Sequence, residues 1–186
     1  MKKLLTIALV GFSSVLLAAT PRGNHYSDCH PIGQNDRHSF KMTAYMDKGD
    51  FYSAFQLFMD KKCQKPSLTV IYGSDYTLGS QVGELVEFDH TPTHVFMVLL
   101  HEDVVDYYND LNHNNSCGIK DWKINRPRNV SGLYCHPNQM PTVGETLYDI
   151  IKYKNSVLQF GGIPYAWNIT DPAKRPTKVH PITFSK

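Results

Sequence analysis

The stretch DKKCQKPSLTVIYGSDYTLGS, residues Asp60 to Ser80, holds the pattern that decides the fold. Its middle, Leu68-Thr69-Val70-Ile71-Tyr72, is β-branched and aromatic, which predicts a strand. Gly73-Ser74-Asp75 then has the composition of a turn. Cys63 stands just before the strand, and Pro66 suits a strand start, where a missing N–H costs little. A cysteine at the head of a strand needs a partner, which makes the redox compartment the next question.

The chain begins MKKLLTIALVGFSSVLLAAT. Lys2 and Lys3 precede the apolar run Leu4–Leu17, followed by the small residues Ala18 and Ala19. This reads as a signal peptide over 1–19, cleaved after Ala19. Thr20 stands where a lipoprotein would carry cysteine, so no lipid anchor is expected. No later segment has the length and apolarity of a membrane span. The protein is therefore expected to be secreted or periplasmic, without a stable membrane anchor.

Of 19 basic residues, two lie in the signal, leaving 17 against 17 acidic ones. A neutral mature chain argues against a nucleic-acid partner. The four cysteines, Cys29, Cys63, Cys117 and Cys135, read as two disulfides in an exported chain. Three pairings are open from sequence; nearest-neighbour pairing, Cys29–Cys63 and Cys117–Cys135, is the one adopted.

Outward from the opening stretch, Phe40, Met42 and Ala44 alternate on one face, and Asp47-Lys48-Gly49-Asp50 is a turn. Phe51, Phe55 and Leu57 resume the alternation, giving a hairpin. Val82–His90 carries a mixed pattern that Thr91-Pro92-Thr93 breaks. Val95–Leu100 is continuously apolar and reads as a strand covered on both faces. Val104–Leu111 is assigned to a strand and turn. Glu145–Tyr153 fits helix or strand, and its neighbour Val157–Phe160 favours a hairpin. Residues 20–37 read as a leader pinned by Cys29, and 38–186 as a single domain. Many short strands without intervening helices indicate an antiparallel all-β sandwich or barrel. The 11 tyrosines and 9 phenylalanines suit a cavity lining as well as ordinary strand preference.

Catalytic signatures are missing: there is no GxSxG, HExxH, P-loop or Rossmann glycine pattern. His90 and His94 are four apart, but Pro92 between them argues against a helical zinc pair. The default for the histidines is solvent-exposed loop, and for Glu84, Glu87 and Asp89 the wet face of a strand. Arg126-Pro127-Arg128 and Lys174-Arg175 read as solvated loops. Sequons begin at Asn114, Asn129 and Asn168 and mark surface only in a glycosylating host. No cofactor and no metal site is expected.

Several motifs resemble one known family in order. Asp28-Cys29-His30-Pro31 comes first, then Phe55 to Leu68 with Asp60, Cys63 and Pro66, and a strand closing on Gly73. Gly83–Asp89, Leu111-Asn112 with Cys117-Gly118, Cys135, Gly144–Ile150, Leu158–Gly161 and Arg175-Pro176-Thr177 follow. Together, from Cys29 to Pro181, they are similar to the adenomatosis polyposis coli down-regulated (APCDD) domain family. The resemblance implies a partly open, lipocalin-like β-barrel or half-barrel in the extracellular space. Animal members restrain Wnt signalling, carry two such domains with a membrane anchor, and are thought to take up lipid chains. This chain reads as one domain, so the carried implication is a hydrophobic ligand rather than signalling. The family brings no catalytic residues across.

The expected function is thus a non-enzymatic, exported binding protein that holds a lipid acyl chain or other hydrophobic small molecule, or an acylated protein, in its barrel. The expected lining is Phe55, Leu57, Tyr72, Phe96, Val98 and Phe160. The alternatives are a secreted interaction module with a solid core, an effector or inhibitor, and, behind it, a metal-dependent hydrolase.

Overall fold

The computed structural model describes residues 20–110, 117–163 and 169–186. The expected signal peptide and the sequon asparagines Asn114 and Asn168 lie outside these residues.

The fold is a closed, antiparallel β-barrel of eight strands. Its strands are β1 (Gly23–Ser27), β3 (His38–Asp47), β4 (Asp50–Phe58), β5 (Pro66–Val82), β6 (Leu85–Leu99), β10 (Leu147–Lys154), β11 (Val157–Phe160) and β12 (Phe184–Ser185). Short strands β2 (His30–Ile32), β7 (Arg128–Asn129), β8 (Tyr134–Cys135) and β9 (Asn138–Gln139) decorate it, and one helix, α1 (Glu102–Asn109), follows β6. Closure depends on β1, which pairs with β3 on one side and with β12 on the other. Full closure removes the sheet edges that would otherwise invite aggregation.

The hairpin turns set the registers. Lys48-Gly49 joins β3 to β4 as a two-residue loop, both residues with positive φ. Asn155-Ser156 does the same between β10 and β11. Such paired left-handed residues match the twist of the strands they connect. The inner faces of β3, β4 and β5 then bury Phe40, Met42, Ala44, Phe51, Val70 and Tyr72.

The structure corrects five expectations about secondary structure. Residues 20–37 are not merely a leader, because β1 and β2 belong to the sheet. Gly73-Ser74-Asp75 is not a turn, and Thr91-Pro92-Thr93 does not end a strand; β5 and β6 run straight through both. Gly73 pairs with His94 but Ser74 pairs with Pro92, so Thr93 is an extra residue in a β-bulge. A bulge also tolerates proline. The extra residue reverses the alternation: His90 and Pro92 point inward before it, and Val95, Met97 and Leu99 after it. Val95–Leu100 is therefore buried on one face only, with Phe96 and Val98 half-buried on the outside. Val104–Asp110 is not a strand, since Val104, Val105 and Tyr108 lie on α1, spaced to pack against the core. His101 caps that helix, its Nδ1 accepting from the Asp103 N–H.

Both expected disulfides are present, Cys29–Cys63 and Cys117–Cys135. Their sequence separations of 34 and 18 residues correspond to about 4 and about 3 kcal/mol in the chain-entropy account. Cys63 holds β2 to the β4–β5 link. The Asp60 carboxylate organises that link by accepting from the N–H groups of Lys62, Gln64 and Lys65. The Ser39 hydroxyl donates to the Asp60 carbonyl and accepts from the Cys63 N–H.

Arg175 is not on a solvated loop. Its side chain, 15 % exposed, ion-pairs Asp89 at 2.6 Å and donates to the Asp149 carbonyl at 2.7 Å, straddling β6 and β10. Glu84, Glu87 and Asp89 do face outward; Glu84 pairs Lys152 and Lys154 at 2.7 and 2.6 Å.

Candidate functional site at the barrel mouth

The two halves of the barrel interior differ. In the half nearer the β3–β4 turn, aromatic rings fill the space. Phe51 meets Phe88, Phe160, His90 and Tyr72 at centroid distances of 5.2, 5.6, 5.8 and 5.9 Å. These distances suit edge-to-face and tilted ring packing, so this half is solid. His90 lies inside it, 1 % exposed, rather than in a solvent-exposed loop. Burial pushes its pKa down to about 3, so the ring is neutral. Asp149 is also sealed there; burial raises its carboxyl to about 6, against the opposing effect of N–H donors from Ile150, Gly162 and Ile163.

The other half is open. A cavity of about 290 Å³ is lined by Phe55 and Leu57 of β4, Leu68 and Val70 of β5, and Met97 of β6. Ile32 of β2, Tyr108 of α1 and the β8–β9 hairpin with Met140 close its rim. The polar side chains on that lining are His136, Asn138 and the Tyr108 phenol. A second hollow of about 390 Å³ lies alongside, between α1 and the ends of β2 to β5. The two share Ile32, Leu57 and Tyr108 as a partition. Tyr108 is held by Trp122, whose ring it meets edge-on at 5.4 Å. Burial raises its phenol pKa to about 12, so it presents no charge to the cavity.

Of the six residues expected to line a cavity, Phe55 and Leu57 do so. Tyr72 and Phe160 point inward but belong to the solid half, each 1 % exposed. Phe96 and Val98 are on the outer wall, because the bulge at Thr93 shifts their phase. Leu68 and Val70 were missed although they share a face with Tyr72 by simple alternation. Ile32, Tyr108 and the residues around His136 carry no lining signal in the sequence; tertiary structure alone brings them to the mouth.

Among the described residues no three His, Cys, Asp or Glu side chains gather as a cation site, and no helix is long and apolar enough to cross a membrane. Neither a protein-family model nor any curated protein matches the chain.

Proposed function

We propose that the protein is an exported carrier or sensor that holds a hydrophobic ligand in the mouth of its barrel. One observation carries the reading: an apolar cavity of about 290 Å³ opens at one end of a barrel otherwise filled by its own side chains. That volume sits at the lower bound of small-molecule sites, about 300–1,000 Å³. A medium acyl chain, or one end of a longer lipid, suits it better than a whole phospholipid. Each methylene buried would contribute about 0.8 kcal/mol. The uncharged lining suits an apolar segment, with His136 and Asn138 at the rim for a polar head. The two disulfides support an oxidising compartment. The resemblance to APCDD domains points to the same ligand class.

Native mass spectrometry of the oxidised protein, with and without added lauric acid, tests this. One equivalent bound and released on unfolding is the expected result. A clean apo mass at saturating lauric acid would replace this reading with the solid-core interaction module, which the filled half of the barrel favours.

A further inference from the structure

A third hollow lies on the outside of the barrel, away from the mouth. The registers of β1 and β3 to β6 align three outward rows. The first is Asn24, Tyr45, Tyr52, Gly73 and His94; the second is Tyr26, Thr43, Ala54, Ile71 and Phe96; the third is Lys41, Gln56, Thr69 and Val98. Small side chains at Thr43, Ala54 and Thr69 leave a depression of about 510 Å³, bounded by Tyr26 and Lys41. This is within the size range of ligand sites. Tyr26 stands 51 % exposed at its edge. Past its far side Tyr52, His94 and Phe96 form a run of ring contacts, each at 5.8 Å.

The polar groups here are uncommitted. Among the described residues the side chains of Tyr26, Lys41, Thr43, Gln56 and Thr69 make no hydrogen bond or ion pair with the protein. One ammonium, one amide, two aliphatic hydroxyls and a phenol therefore converge on a hollow with an aromatic flank. Lys41 is the one charged residue in the three rows. Asp28, next after Ser27 of β1, is the acid nearest Tyr26 in sequence, and among the described residues it forms no ion pair with Lys41. Asp47, Asp50 and Asp75 lie along the strands near the β3–β4 turn. Six residues of strand, about 20 Å, separate Asp47 from Lys41, beyond the Debye length of about 8 Å at physiological salt.

We propose that this hollow is a saccharide site, and that it takes a sugar bearing a carboxylate. A pyranose ring has an apolar face that would lie on Tyr26. Its hydroxyls would exchange water for the Gln56 amide and the threonine hydroxyls, and the carboxylate would meet Lys41. An apolar ligand fits poorly, because it would strip water from five polar groups without replacing their bonds.

The test is an amide-resolved NMR titration of the oxidised mature protein with hexagalacturonate, and with maltohexaose as the neutral control, at 150 mM salt. Saturable shifts at Thr43, Ala54, Gln56 and Thr69 are expected with hexagalacturonate, and at least tenfold weaker binding of maltohexaose. Tyr26→Ala and Gln56→Ala should each weaken hexagalacturonate at least fivefold, and Lys41→Gln at least tenfold. All three positions are on the outer wall, and the same spectra report whether the variants stay folded. Lauric acid uptake at the mouth should be unchanged, so failure of one site is separable from failure of the other. Absence of saturable shifts overturns the proposal. So do shifts mapping elsewhere, or a loss confined to Lys41→Gln, which would mean adventitious ion pairing.

Discussion

Tyr72 and His90 share a hydrogen bond inside the barrel, the phenol hydroxyl meeting imidazole Nδ1, with each residue 1 % exposed. Burial keeps His90 neutral, so Nδ1 and the phenol share one proton donor and one acceptor between them. Removing the hydroxyl leaves a buried ring nitrogen without a partner, which costs about 1–3 kcal/mol. Tyr72→Phe should therefore lose about that much in urea unfolding at pH 7. Tyr72→Phe with His90→Leu should recover part of the loss, since replacing both partners by apolar groups is nearly neutral. A single variant within 0.5 kcal/mol of wild type, an amount ordinary for a surface change, would show that the bond contributes little.

The acid dependence follows from two buried groups of opposite sign. His90 falls from 6.5 to about 3 in the folded state. The unfolded chain thus takes up the proton first, and stability declines as pH drops from 6.5 towards 3. Asp149 rises from 3.8 to about 6 on folding. Its folded form holds the proton longer, so its contribution is complete below about pH 4 and is lost as pH rises through 6. Between pH 4 and 6 the two oppose each other. Asp149→Asn should steepen the loss of stability on acidification in that window, and His90→Leu should make it shallower. Denaturant titrations at half-unit pH steps read both slopes. Parallel pH profiles for wild type and Asp149→Asn would refute the assignment.

At the mouth, Leu57 borders both hollows, whereas Phe96 faces outward from the next sheet segment. Leu57→Trp should occupy the cavity and weaken lauric acid at least tenfold while the barrel stays folded. Phe96→Ala should leave that affinity within twofold. Calorimetric titration of the two variants decides it. Equal losses in both would move the ligand away from the mouth.

Much of this barrel was legible because its hairpins obey local rules. Phe40, Met42 and Ala44 alternate, Lys48-Gly49 permits the tight turn, and Cys63 found the predicted partner in Cys29. The strand β1 was not legible, because the side chains it buries include His25 and Ser27 rather than a hydrophobic series. Ser27 is accepted there because its hydroxyl takes the Met42 N–H at 2.9 Å. Two of the six expected lining residues, Phe96 and Val98, failed for a different reason. One extra residue, Thr93, exchanges the inner and outer faces of β6, and alternation alone does not locate that exchange without a sign such as a bulge-tolerated proline. Pro92 was such a sign, but it reads as a strand end when sheet context is absent. On α1, Val104, Val105 and Tyr108 fit helix spacing, yet the segment is short enough to pass for a strand.

Gly73 and His94 make the last prediction. They are cross-strand partners on the outer wall, and the imidazole lies over the glycine: a Cβ on residue 73 would fall 2.1 Å from His94 Cε1. Glycine in a strand interior otherwise weakens it, so its presence here is explained by the ring that covers it. Gly73→Ala must push that ring off its seat against Tyr52 and Phe96, a crowding that costs about 1–3 kcal/mol. His94→Ala vacates the space at the cost of the ring contacts alone. In the double variant the added methyl has room, and alanine is the better strand residue of the two. Gly73→Ala should therefore destabilise the wild type but be neutral or stabilising in the His94→Ala background. A double-mutant cycle by thermal unfolding measures the coupling, and additive effects would mean that the ring does not hold this position in solution.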